Sequence, residues 1–150
     1  MLAVIDSDNN LLARAAWHEA GHVIAAMYFK LPLREVLIRE NGTGLTSYAR
    51  WLGRAEVERW VTTTFAGPEA ERDAFGDEFV AEATDLRAIS SAINQQRLFD
   101  WAPLRLGELR HDARRLVERN RGRVALVADA LIRHRHLSAE EVRAYGPDPS

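Results

Sequence analysis

The 150-residue sequence contains no cysteine. That absence removes disulfides, thiolate zinc sites, iron–sulfur ligation and cysteine nucleophiles together, so any metal site must draw on His, Asp or Glu. Lysine is almost missing too: Lys30 is the single lysine among 20 basic residues, and the arginines are scattered along the chain. Charge of one sign is also lacking, since 22 acidic residues offset the basic ones to a formal charge of -2. A protein whose whole body binds nucleic acid or acidic membrane is therefore not expected. No apolar run approaches the ~18 residues of a membrane-spanning helix; the longest, Val23 to Phe29, stops at Lys30. Leu2 to Ile5 are apolar, but Asp6 and Asp8 follow and no cationic start precedes them, so no signal peptide is read. A cytoplasmic address is the expectation. What is present is 47% hydrophobic and 28% charged residues, enough for one core and a polar surface. The reading is one domain over residues 1–145 with a disordered tail at 146–150.

Apolar residues Leu12, Ala16, Ala20, Val23, Ile24 and Met27 recur at three-and-four spacing and predict a helix from Leu11 to Lys30, closed by Pro32. Two short runs, Val36 to Arg39 and Leu45 to Ala49, flank Asn41-Gly42-Thr43-Gly44 and predict a hairpin or two adjacent strands. Helices are predicted over Arg54–Phe65 and Pro68–Phe75, with Gly67-Pro68 as a break between them. A further helix is expected from Thr84 to Phe99. Pro103 and Gly107 then mark a connection, and a long helical pattern runs from Glu108 to His134 with a bend near Gly122. Ser138-Ala139-Glu140-Glu141 has the form of a capping box opening a last short helix. The fold class is mainly α (α+β), with a small two- to three-stranded sheet after the first helix.

The first helix carries His18-Glu19-Ala20-Gly21-His22, an HExxH pattern. Residues four apart on a helix are offset by about 40°, so both imidazoles leave one face and can share a cation. Zinc held by two histidines and a carboxylate, with one position open, makes a nucleophilic water near neutral pH. Glu19, about a quarter turn away, is placed to act as general base on that water. The plain alternative is a pair of core histidines. Gly21 speaks against it, because glycine inside a helix costs ~1 kcal/mol against alanine and is better explained by close approach of another element or a substrate.

Zinc needs a third ligand from elsewhere in the chain. Asp73, Asp77, Glu78, Glu82 and Asp85 are candidates that spacing does not separate. Asp85 has a favourable position at the start of a helix, where backbone N–H groups can hold its carboxylate; the plain alternative is an ordinary helix-dipole carboxylate.

His18 to His22 and the apolar run after it resemble the start of the C-terminal peptidase domain of FtsH-type ATP-dependent zinc metalloproteases. The resemblance continues in order. Gly44-Leu45-Thr46-Ser47-Tyr48 resembles that family's Gly-x-Thr-x-Tyr strand beside the cleft. Ala66-Gly67-Pro68-Glu69-Ala70-Glu71 is similar to its Gly-Gly-Arg-x-Ala-Glu helix start. Ala83-Thr84-Asp85-Leu86 falls at its Ser-x-Asp-Leu segment, and Asn120 to Tyr145 resembles its closing helices. The resemblance implies a zincin-like helical domain, with Zn2+ held by His18, His22 and Asp85 and Glu19 as general base. It implies that Gly44, Leu45, Thr46, Ser47 and Tyr48 bind an extended polypeptide substrate by strand pairing. The implied activity is a zinc endopeptidase for unfolded or flexible polypeptides. Within the 150 residues there is no ATPase module, so a separate ATPase or adaptor is a candidate source of substrate. Pro68 stands where the family has arginine, Ile89-Ser90 where it has Ala-Thr, and the stretch from Phe99 to Arg110 is shorter. Cleft shape and oligomeric state therefore do not transfer.

A non-catalytic peptide- or protein-binding module with the same fold is the alternative, and a zinc hydrolase of non-peptide amides is a third reading. His111, His134 and His136 are not at metal spacing, and Arg133-His134-Arg135-His136 reads as a solvated helix end. The arginine-rich stretch from Arg110 to Arg123 lacks interleaved aromatics, so nucleic acid is not an expected partner.

Overall fold

The apolar spacing of Leu12, Ala16, Ala20, Val23 and Ile24 closes into helix α1, Ser7–Tyr28. The computed structural model describes residues 7–76, 81–96 and 102–146, leaving aside the side chains of 7–10, 81–84, 96 and 102–104. Helix α1 ends in a Schellman arrangement: Leu31 N–H donates to Ala26 O and Lys30 N–H to Met27 O, with Lys30 at φ 57°. Strand β1 (Leu33–Ile38) follows, then β2 (Gly44–Tyr48). Between them Gly42 takes φ 86° and the Asn41 side chain accepts from the Thr43 N–H and hydroxyl. Both strands predicted from the sequence are present within a residue or three of their expected bounds.

A 3-10 turn at Arg54–Glu56 leads into α2, Val57–Phe75. Here the expected break at Gly67-Pro68 is corrected: α2 is continuous, with Pro68 inside it. Proline removes one N–H, that which would meet the Thr64 carbonyl. The loss is tolerated because α2 is buried on nearly all sides from Val61 to Glu71, between α1 and α4. Tertiary packing of α2, not local propensity, decides the element.

Helix α3 spans Ala81–Gln96 and α4 spans Ala102–Arg119. Pro103 and Gly107, read as a connection, lie within α4, Pro103 in the first turn where a missing N–H costs nothing. The long pattern from Glu108 is two helices, since α5 spans Arg121–His134. The break is at Asn120 rather than Gly122: its backbone leaves helical geometry at φ -112°, ψ 20°, while its N–H and its side chain both donate to Leu116 O. Arg135 closes α5 at φ 65°.

Strand β3 (His136–Ser138) pairs antiparallel with β1, giving the order β2-β1-β3. Ser138 then caps α6 (Ala139–Arg143) through the expected box: its hydroxyl accepts from Glu141 N–H, and Glu141 Oε1 accepts from Ser138 N–H. Among the described residues the protein is mainly helical, 71% helix, with a small three-stranded antiparallel sheet. Helix α2 is its centre. It packs on α1 and α4, and α1 packs on α5 and β1. Fully buried Glu69 ties α4 down, accepting from Arg110 Nε at 3.0 Å and Arg114 Nε at 3.4 Å. Among the described residues, no helix is long and apolar enough to cross a membrane.

Candidate metal centre

His18 and His22 sit one turn apart on the buried face of α1, their ring centroids 4.8 Å apart and the planes crossed at 82°. Helix α3 brings Asp85 to both rings. Asp85 Oδ2 lies 2.8 Å from His18 Nε2 and 3.5 Å from His22 Nε2. The three ligand atoms lie within 4.8 Å of one another, and among the described residues this is the one such group of three or more His or carboxylate side chains. A tetrahedral zinc with bonds of about 2.0–2.2 Å needs donors spaced by about 3.3–3.6 Å; the present spacings, from 2.8 Å to within 4.8 Å, bracket that range, and two imidazoles with a carboxylate are a donor set that suits the ion.

Two details argue that the three side chains are arranged for a cation rather than for each other. Asp85 Oδ2 is buried without a well-directed hydrogen bond, facing His18 Nε2 and His22 Nε2. A buried carboxylate oxygen without a donor is costly unless a cation meets it. The floor of the group is Gly67 of α2. A Cβ there would lie 2.4 Å from His22 Nε2 and 2.9 Å from His18 Nε2, so only glycine leaves the space in front of the two nitrogens clear.

The far nitrogens of the rings are held by α2 as well. His18 Nδ1 is 3.3 Å from Glu71 Oε1, and Arg14 Nη1 donates to Glu71 Oε2 at 3.0 Å. His22 Nδ1 donates to the Thr63 carbonyl at 2.8 Å. With Nδ1 of each ring held in this way, loss of the Nε2 protons to a cation would leave both Nε2 lone pairs for it, the tautomers that metal binding requires. Gly21 explains itself in the same contact: a Cβ would lie 2.3 Å from Ala66 O and 2.6 Å from Ala70 Cβ. The approaching element is α2.

The charges agree. Burial alone would lower the pKa of His18, but the Asp85 carboxylate, then Glu71, then the charge of Glu19 outweigh it and push His18 up to about 10. In His22 burial is likewise outweighed by the charge and contact of Asp85 and by Glu19, and the pKa rises. Burial would raise Asp85, yet the facing His22 and His18 hold its carboxyl well below the usual carboxylate range. Carboxylates that retain protons on imidazoles in this way equally favour a divalent cation in the protons' place.

Glu19 points to the other side of the group, against β2. Thr46 Oγ1 donates to Glu19 Oε1 at 3.0 Å, and Gly44 lets the strand press on the Glu19 chain, where a Cβ would lie 2.6 Å from Cγ. An open cleft of about 600 Å³ runs past His18, Glu19, His22, Asp85 and β2. Tyr48 is largely buried in its wall; burial, then the charges of Glu19 and Asp85, raise its pKa, so its hydroxyl is protonated at ordinary pH. Strand β2 is the sheet edge. Thr43 O and Ala49 N bond toward β1 and the chain before it, so by alternation the backbone groups of Gly44, Thr46 and Tyr48 face outward, unpaired by the sheet.

Of the sequence candidates, His18, His22, Glu19 and Asp85 come together. Asp85 does so through the two imidazoles, not through backbone N–H groups as its helix position suggested. Asp73 is elsewhere, paired with Arg121 Nε and Nη2 at 2.7 and 2.6 Å. Asp77 and Glu78, and the side chain of Glu82, lie outside the described residues. Gly44, Leu45, Thr46 and Tyr48 line the cleft; Ser47 faces away, toward Glu35 O. Glu71, Thr63 and Gly67 were not among the expected site residues. Their signal was the four-residue steps Thr63–Gly67–Glu71, which put all three on one face of a continuous α2. The expected break concealed it. Compared with known proteins, the chain matches no family model and no curated sequence.

Proposed function

We propose that the chain is a zinc-dependent endopeptidase acting on unfolded or flexible polypeptides. The observation that carries this reading is the convergence of His18, His22 and Asp85 beside Glu19 in a cleft edged by an open strand. A zinc ion bound by those three side chains would supply a Lewis acid and a lowered pKa for water. His18 and His22, whose Nδ1 atoms are held by Glu71 and Thr63, would hold that ion through their Nε2 atoms. Glu19 takes the proton of the attacking water as its oxygen bonds to the carbonyl carbon, and returns it to the amine nitrogen as the C–N bond breaks. Thr46 holds Oε1 of that carboxylate and leaves Oε2 for the proton. The outward backbone groups of Gly44, Thr46 and Tyr48 suit an extended peptide lying along β2. The in-order resemblance to FtsH-type peptidase domains supports the same reading, including a separate ATPase or adaptor as the source of unfolded chains and a cytoplasmic place of action.

Purified, zinc-loaded protein is expected to cut casein and denatured proteins, with Glu19→Gln slower by about 10²-fold or more. Intact substrates across the neutral pH range would reject the peptidase reading. A cellular or binding effect unchanged by Glu19→Gln would favour the non-catalytic peptide-binding module instead.

A further inference from the structure

A second concavity of about 550 Å³ adjoins the metal cleft, and Tyr48 and Trp60 form part of both walls. Its other apolar lining comes from Trp51 and Leu52 after β2, Val57 on α2 and Ala92 on α3. Among the described lining residues its one cation, Arg50, is neutralised. Arg50 Nη1 and Nη2 donate to the two oxygens of Glu56 at 2.8 and 2.9 Å, and Nη1 also donates to Trp51 O at 3.1 Å. Glu56 Oε1 further accepts from Gly53 N–H at 2.9 Å. The loop is thus braced at its backbone while the Trp51 ring stands 96% exposed. A large aromatic ring held in water beside an apolar hollow gains by covering a ligand.

The position of the hollow indicates which ligand. Glu19 lies against Gly44 and Thr46, and the hollow begins at Tyr48 and continues to Leu52. A peptide following the outer edge of β2 advances ~3.3 Å per residue. With its cleaved bond at Glu19 it reaches the hollow about two residues later. On the hydrolase reading, we infer that this hollow is a specificity pocket for a large apolar side chain of the substrate, such as Phe or Leu, about two residues from the cleaved bond. Acidic side chains meet no free cation among the described lining residues and small ones leave the hollow unfilled: its walls are mostly aromatic and aliphatic, with Gln95 an uncharged polar exception, and the guanidinium is already paired.

The test uses full-length, zinc-loaded Glu19→Gln protein and dye-labelled extended peptides carrying Phe, Ala or Glu at each position in turn, with affinity read by fluorescence anisotropy. At one position Phe is expected to bind at least about tenfold tighter than Glu. Trp51→Ala, at an exposed site that the fold does not need, and Ala92→Trp, which fills the hollow, should each bring that ratio within about twofold. Leu126→Ala, an exposed apolar residue on α5, should leave it intact. Equal affinity for Phe, Ala and Glu at every position, or a Phe preference that survives both pocket variants, would overturn the inference. Wild-type protein separates the two claims: cleavage without side-chain preference rejects the pocket alone, whereas a pocket-dependent preference without any cleavage supports the pocket and rejects the hydrolase.

Discussion

A carboxylate that moves a proton must be held still, and two residues of β2 hold Glu19. Gly44 admits its Cγ and Thr46 donates to Oε1. On the proposed function, Thr46 is thereby a positioning residue for the base, in addition to its outward backbone groups. Thr46→Val keeps the strand and the shape but removes the hydroxyl. It is expected to lower kcat about tenfold with KM little changed, and Thr46→Ser should restore most of the loss. An unchanged kcat in Thr46→Val would show that the bond does not matter. At this scale the sequence was informative where chemistry is local. The four-residue step from His18 to His22 needs only a helix to put two imidazoles on one face, and Glu19 comes with them. Asp85 needs a long-range contact, so spacing left it among five carboxylates. The family resemblance singled it out, and the geometry is consistent with that choice. Glu71 was invisible as a histidine partner because its role depends on α2 lying against α1.

Among the elements, α2 matters most to the site. It supplies Thr63, Gly67 and Glu71 to the two histidines, and its close approach explains Gly21 on α1. The local signals at Gly67-Pro68 point to a helix break, and tertiary burial overrides them; the same kind of override carries α4 through Gly107. Helix α4 ends at Asn120, whose backbone turns to φ -112°, ψ 20°, and no spacing in the sequence announces that turn. The Ser138 box was legible, because both of its bonds lie within four residues. Strand β3 is only three residues long and has no periodicity to read. Gly67→Ala tests the role of α2. The added methyl would meet both Nε2 atoms, so zinc affinity should fall by on the order of tenfold or more while the helix, gaining alanine, loses no intrinsic propensity. Competition against a chelator measures the affinity, and a variant binding zinc as tightly as the parent would contradict the account.

Across the whole molecule, a metal bound at the proposed centre would be coupled to stability. His18 in the metal-free protein is raised from 6.5 to about 10. A proton held more tightly by the folded state than by the unfolded one stabilises the fold fully below the unfolded pKa, and that contribution is lost as pH climbs through the folded one. The melting temperature of metal-free protein should therefore fall between pH 6.5 and about 10. Zinc must displace the same protons, so its affinity, and the stabilisation it adds, should grow over that window. Scanning calorimetry with chelator and with zinc checks both trends; a metal-free melting temperature that rises across the window would contradict the first.

The central claim is that His18, His22 and Asp85 hold one metal ion. Zinc content per chain, measured by elemental analysis on protein purified without chelator, tests it most directly when native protein is compared with Asp85→Asn. About one zinc per native chain is expected, with a large loss in Asp85→Asn. Native protein without zinc or another divalent ion, or an Asp85→Asn variant that retains it equally well, would contradict it.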